Sequence, residues 1–576
     1  MVPALRWLRS YNSQTFSSDL IAAIIVSIML IPQSLAYALL AGLPAEVGLY
    51  ASILPLAVYA IFGSSSSLSV GPVAIASLMT AAAVGEVAAA GQYSVTTAAV
   101  TLAGLSGGML MIFGFLRLGF LANFLSHTVV SAFITASAII IALSQLRHLF
   151  GVNAAGDTLG EILHSLLVAM PELNLPTLAL GGGVLVFLFL VRSQGVRILS
   201  AMGLSAFQAQ LCAKIAPVLT VIATIALAST LQLESRGVAV VGDIPSGLPA
   251  LAMPQLSIEL LQTLWLPALL ISIIGYVESV SVGRTLGGKR QERIDPDQEL
   301  IGLGTANVAS ALSGGLPVTG GFSRSVVNFD AGAVTQAASL MTALFIGLVS
   351  LFFTPLLYAL PKATLSATII VAVIALVDFH VIKQTWKVSK SDTAAVLVTM
   401  LFTLGFGVEA GVSCGILVSL SLHLYRTSKP HIAEVGLLPG TQHFRNVRRH
   451  SVETDTQVLS LRVDESLFFA NANYLEDYIY RAVLFTEPTS ETKADPANKI
   501  SQVILMCTAV NEIDFTALET LEAINHRLQQ QGVTLHLSEV KGPVMDMLKR
   551  TDFLQKLTGK VYLSQYEAFN ETRLRP

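Results

Sequence analysis

The sequence predicts a polytopic all-α membrane domain of fourteen segments, arranged as a seven-plus-seven inverted repeat, followed by a small cytoplasmic α/β domain. Three observations lead there. The 576 residues are 53% hydrophobic and 12% charged, with a mean hydropathy of +0.68. Charge is unevenly divided, because residues 1–426 hold 36 of the 71 Asp, Glu, Lys and Arg while the last 150 hold the other 35. Two short polar stretches, Ser67 to Pro72 and Pro317 to Ser325, interrupt apolar runs at corresponding places in two halves.

A membrane-crossing helix needs about 20 apolar residues. The apolar runs place helices at 20–43, 47–63, 69–85, 95–116, 127–146, 177–192, 213–231, 261–282, 300–313, 322–333, 335–359, 364–379, 393–408 and 411–425. Cytoplasmic loops carry excess Lys and Arg. Basic residues follow span four (Arg117), six (Arg192, Arg197), eight (Arg284, Lys289, Arg290, Arg293), twelve (Lys383, Lys387, Lys390) and fourteen (Arg426, Lys429). Spans two and ten lack such an exit. This pattern puts both termini in the cytoplasm. Arg6 and Arg9 precede the first run, but that run is too long for a signal-peptide core and is read as a retained helix. An odd number of spans per half inserts the second copy upside down, a common basis for alternating access. Gln33 in span one and Glu278 in span eight are matching polar interruptions, each followed two spans later by a glycine-containing break.

A net charge of −3 gives no case for nucleic acid, which would need a concentrated basic surface. Cys212, Cys414 and Cys507 are scattered, with neither metal nor disulfide spacing, so no metal or cofactor is expected.

The two breaks are the candidate site. Unpaired backbone groups in hydrocarbon cost several kcal/mol each, so such breaks persist where they line a hydrated cavity. Helix N-termini carry roughly half a positive charge, and Arg324 adds a whole one, so the implied ligand is an anion. Ser69, Val70 and Gly71 in one break, and Thr319, Gly321, Phe322, Ser323, Arg324 and Ser325 in the other, are the candidate binding residues. The hydroxyls also cap helices, and glycine serves either close packing or backbone approach to a ligand. Gln33 and Tyr37 share a helix face and donate neutral hydrogen bonds to an oxyanion, or pack between helices. Acids at membrane depth form proton relays, and a proton on Glu278 would offset an incoming anion's charge. The alternatives are a structural ion pair, or a sodium site made with Ser279 and Ser281.

The run Ile31 to Gly42 (IPQSLAYALLAG), with Asp19 to Ala23, Gly48 to Ser52, Phe62 to Ser65, Gly71-Pro72, Glu278 to Arg284 and Gly314 to Ser325, resembles the SulP family of anion permeases from about Asp19 onward. The resemblance implies a core and a gate, with the anion held between segments three and ten. Family members move sulfate, bicarbonate, chloride, nitrate, oxalate or dicarboxylates. Symporters of plant and bacterial type carry an acid at the Glu278 position. The expectation is therefore a secondary active transporter, not an enzyme, performing proton-coupled sulfate uptake by alternating access. The alternatives are a sodium-coupled bicarbonate transporter, an exchanger or channel, a dicarboxylate transporter and a membrane-anchored sensor. The expected partners are a small anion, a proton or sodium ion, the lipid bilayer of a plasma (bacterial inner) membrane, and a second copy in a homodimer.

The expected division is a transport domain at 1–426, a basic linker at 427–455 and a cytoplasmic domain at 456–576. In the last, Val458–Val463, Gln502–Cys507 and Val533–Leu537 read as strands and Phe515–Gln530 as an amphipathic helix. Asn511 to Leu521 resembles the signature of the STAS domain. Thr516 matches the phosphorylated position of stand-alone antagonists of that family, which makes Asp514 and Thr516 regulatory candidates, although both residue types also cap helices.

Overall fold

A computed structural model describes residues 3–9, 11–91, 93–123, 127–156, 158–203, 205–255, 257–484 and 499–573. The chain divides into two compact units, Met1–Ser419 and Leu420–Pro576.

The first unit is helical. Its spans are Ser13–Leu40, Ala45–Phe62 with a turn at 51–53, Ala74–Ala89, Val95–Phe115, His127–Phe150, Leu175–Leu190, Ala206–Thr230, Ile258–Arg290, Pro296–Leu312, Phe322–Asp330, Ala337–Phe352, Lys362–Ile374 and Lys390–Phe406, and span fourteen, Val408–Ser428, begins in it and runs past its boundary at Ser419. Among the described residues, seven helices are long and apolar enough to cross a membrane alone, and spans three, eleven and twelve are shorter apolar helices. The helices Leu159–Ala169, Val196–Ala201 and His380–Val388 lie between spans.

Polar caps mark where several spans start. Asn12 accepts from Thr15 N–H, Ser94 from Thr97, Asn174 from Thr177, Ser257 from Leu260, and Asp295 from Asp297 and Gln298. Each satisfies a first-turn amide that has no partner within its helix. Spans four and nine meet backbone to backbone. A Cβ on Gly107 would lie 2.8 Å from Gly304 O, and one on Gly304 would lie 2.9 Å from Gly107 O. Lipid offers no hydrophobic drive between helices, so small residues that allow such close packing hold them together.

Spans three and ten start later than the apolar pattern suggests, or stop sooner. Span three begins at Ala74 and not Ser69, and span ten ends at Asp330. The residues before each are extended. Val70–Gly71 (β1) and Thr319–Gly320 (β2) form a two-stranded antiparallel ribbon, with Val70 opposite Gly320 and Gly71 opposite Thr319. The broken ends therefore satisfy part of each other's backbone inside the helical unit.

In the second unit a six-stranded sheet has the order β4-β3-β5-β6-β7-β8. Here β3 is Ile432–Leu437, β4 Phe444–Asn446, β5 Val458–Val463, β6 Gln502–Met506, β7 Thr534–Ser538 and β8 Val561–Tyr562. The strands β5 to β8 are parallel, and β3 pairs antiparallel with both β4 and β5. Stretch 427–455, expected as a linker, thus supplies two strands. Its charges lie at exposed positions, where Glu434 on β3 and Arg445 on the edge strand β4 alternate with buried Ala433, Val435 and Phe444. The helix Phe515–Gln530 buries Ala517, Leu521, Ile524 and Leu528 on one face, the i, i+4, i+7, i+11 stripe of a helix packed on a sheet.

Candidate functional site

The amino ends of spans three and ten converge on a cavity of about 50 Å³, enough for a few water molecules. Gln33 and Tyr37 reach it from span one, Val73 to Ile75 from span three, Glu278 from span eight, Gly321 to Arg324 from span ten, and Ala372, Val373 and Leu376 from span twelve. Neither converging helix has a side-chain cap, because Val73 and Gly321 occupy the cap positions. Their first-turn amides therefore lack a side-chain acceptor, the arrangement that suits an anion.

Arg324 is 2% exposed, and both its terminal nitrogens are buried without a hydrogen-bond partner. Two glycines make room for it. A Cβ on Gly71 would fall 2.3 Å from Arg324 Nη1, and one on Gly321 would fall 3.1 Å from Nε. Glu278 Oε2 and Gln33 Oε1 are likewise buried without partners. A guanidinium fork, a carboxylate, an amide, a phenol and two uncapped helix ends thus share one small space. The fork's geometry suits an oxyanion bound through two oxygens.

Several expected residues are not brought to the cavity. Ser69 N–H donates to Ser325 Oγ (3.0 Å), and Ser325 Oγ donates to Gly321 O (2.7 Å). Gly321 N–H donates in turn to Ser69 O (3.3 Å). Thr319 Oγ1 donates to Gly275 O (2.7 Å) and lies 2.8 Å from Ser279 Oγ. Val70 is held in the ribbon. These groups complete the backbone of the breaks, because unpaired amides there cost more than a marginal ligand contact returns. Ser281 is exposed, away from Glu278's cavity, and its carbonyl accepts from Thr285.

The sequence reading missed the amides that brace the breaks. Asn307 in span nine donates to Val318 O (2.8 Å) and accepts from Val318 N–H (2.9 Å). Asn328 donates to Ser67 O, and Gln336 donates to Ser65 O and Leu68 O. Ser279 Oγ accepts from Gly320 N–H. The signal was present as isolated amides in apolar spans. Two buried acids are also structural. Glu299 accepts from Tyr59 OH, Ser64 N–H, Ser64 Oγ and Ser65 N–H. Asp19 accepts from Val334 N–H and from the Thr335 amide and hydroxyl, tying span one to the start of span eleven.

A second cavity of about 690 Å³ shares Gln33, Phe322, Ser323, Ala372 and Leu376 with the first, and so forms its antechamber. No cluster of three or more His, Cys, Asp and Glu suited to a metal exists among the described residues. In the second unit Asp514 caps the helix Phe515–Gln530 through Ala517 N–H and also accepts from Phe469 N–H, both at 2.8 Å. Thr516 is exposed on that helix's first turn.

Comparison with known proteins places these features in context. A model of the sulfate permease family matches residues 16–399, and a STAS domain model matches 449–568. The chain is 34% identical over 563 residues to sulfate transporter 4.1, chloroplastic, of Arabidopsis thaliana, covering 97% of this chain and 80% of that one. It is 31% identical over 556 residues to a probable sulfate transporter of Mycobacterium tuberculosis, covering 96% and 95%. Its fold is similar to that of SLC26A9, with a TM-score of 0.89 at 22% identity over 99% of this chain and 92% of that one. The transmembrane domain of the cyanobacterium bicarbonate transporter BicA aligns with a TM-score of 0.58 at 21% identity, over 71% of this chain and 98% of that one.

Proposed function

The chain belongs to the sulfate permease family, and from that premise we propose that it is a secondary active transporter of a small inorganic oxyanion, sulfate foremost, driven by protons. One observation carries the reading: a buried guanidinium with two unpartnered nitrogens lies at the amino ends of two converging half-helices. The anion takes those nitrogens, the first-turn amides of spans three and ten, and neutral contacts from Tyr37 and Gln33.

Glu278 supplies the coupling. It lines the same cavity as Arg324. Two like charges about 6 Å apart repel by about 3 kcal/mol at an effective dielectric of about 20, so a carboxylate here opposes an anion until it takes a proton. The anion and proton therefore favour each other's binding, which is the linkage a symporter needs. Sodium is the weaker alternative, since Ser279 is engaged with Thr319 and Gly320 and Ser281 is exposed.

The make-up of the walls supports alternating access. Spans one, three, eight and ten supply every polar lining residue, and span twelve supplies Ala372, Val373 and Leu376. A core bearing the four polar spans rocks against a gate that includes the apolar span twelve, and neither face leaves a polar group behind as it slides. Both termini lie in the cytoplasm, the protein works as a homodimer in a plasma membrane, and the region after residue 426 is regulatory, with Thr516 its exposed candidate.

The test is uptake of labelled sulfate, bicarbonate and fumarate into proteoliposomes with a proton or sodium gradient imposed alone. An inward proton gradient is expected to concentrate sulfate in wild type, and Glu278→Gln is expected to abolish that accumulation while sparing exchange. Wild-type accumulation driven by sodium alone, or a Glu278→Gln protein that still responds to the proton gradient, would overturn the coupling.

A further inference from the structure

We propose that Arg192 is a second anion station, in the antechamber, that captures the oxyanion before it reaches Arg324. This rests on the anion-transport reading above and goes beyond it, since Arg192 lies outside the inner cavity.

Arg192 lies in a π-helical turn, Val191–Gly195, at the end of span six. Such turns re-aim side chains and are frequent at functional sites. Arg192 and Asp330 are the two charged residues that line the antechamber of about 690 Å³. Arg192 is exposed, and its Nη1 donates to Val371 O at 2.7 Å. That carbonyl lies in the last turn of span twelve, where the cap amide of Ala375 bonds to Val373 O instead. It is one of the carbonyls a helix end leaves without an intrahelical partner. One donor of five tethers the side chain, and the tether holds the charge beside Ala372, which lines both cavities.

A cation in a low-dielectric cleft focuses the field and raises the local anion concentration. An oxyanion entering the antechamber meets Arg192 first and passes Gln33, Phe322 and Ser323 to reach Arg324. Asp330 opposes the charge of Arg192 and limits how long the anion stays, so the station speeds capture without trapping its ligand.

The experiment is rapid mixing of sulfate with full-length protein on solid-supported membranes, reading the association rate from the pre-steady-state current. Equilibrium sulfate binding is measured in parallel. Arg192→Gln keeps a polar amide and removes the charge, whereas Arg192→Lys keeps the charge. At low salt Arg192→Gln is expected to slow association roughly tenfold, the lower end of electrostatic focusing, with unchanged equilibrium affinity. Arg192→Lys is expected to restore most of the rate, and the salt dependence of wild type is expected to flatten in the glutamine variant. An unchanged rate in Arg192→Gln, or a defect that lysine does not rescue, would overturn the proposal. Absence of any sulfate response in wild type would overturn the transport reading itself, and this inference with it.

Discussion

Gly71→Ala tests the geometry around Arg324 without touching its charge. The new methyl would lie 2.3 Å from Arg324 Nη1, where ordinary contact begins near 3.4 Å, so the guanidinium must retreat by about 1 Å. Moving a unit charge from about 4 to about 5 Å from an anion weakens the attraction by roughly 0.8 kcal/mol at an effective dielectric of about 20. Misaligning one charged hydrogen bond loses about another 1.5 kcal/mol. Together these predict roughly 50-fold weaker anion binding, and because Gly71 holds a positive φ of 158° that side chains rarely adopt, the thermal midpoint is expected to fall as well. Isothermal titration of sulfate into the purified protein measures the affinity, and thermal unfolding checks the fold. Gly321→Ala should show a smaller loss, since its Cβ would meet Arg324 Nε at 3.1 Å. Wild-type affinity in a well-folded Gly71→Ala protein would refute the placement of the guanidinium.

Asn307→Leu should lower the thermal midpoint clearly while leaving Arg324 in place, because it strands Val318 N–H and C=O at about 1–3 kcal/mol each; an unchanged midpoint would mean the break is braced elsewhere. In the second unit burial tends to raise the Asp464 carboxyl, but hydrogen bonds from Arg462 and His431 outweigh it and hold the group below its ordinary value. That carboxylate's stabilisation is fully present above the usual value of about 3.9 and is lost as pH falls through the lowered one. Asp464→Asn should therefore weaken the tail at neutral pH and make it less sensitive to acid, and an acid-unfolding titration of wild type and variant that superimposes would reject this. Removing residues from 456 onward would strand β3 from β5, so truncation after Ser428 is expected to give the better-behaved transport unit, as judged by gel-filtration monodispersity of the two truncations.

What was legible in the sequence was whatever is expensive at membrane depth. Arg324, Glu278 and the glycines beside the breaks stood out because charge and broken backbone in hydrocarbon require a reason, and all three features meet at the cavity. The tail strands at 458, 502 and 534 were readable from their dense β-branched and aliphatic runs. The hydroxyls were not readable in the same way. The Ser325 hydroxyl accepts from the backbone N–H of Ser69, far away in sequence, and a serine that serves a ligand looks identical in sequence to one that serves a neighbouring amide. Asn307 was passed over for the converse reason, since its partner at Val318 lies across a break whose path the apolar pattern does not encode. Strand β4 was hidden by its edge position and three-residue length, and β3, although paired on both sides, by the exposed Glu434 that interrupts its apolar run.

The central claim is that Arg324 holds the transported anion, and equilibrium sulfate binding to purified wild type, Arg324→Ala and Arg324→Lys tests it most directly. Two charged hydrogen bonds at about 1.5–3 kcal/mol each predict at least about 100-fold weaker binding for alanine. Lysine should fall between, since it restores the charge but not the planar fork. A well-folded Arg324→Ala protein that binds sulfate as wild type does would contradict the account.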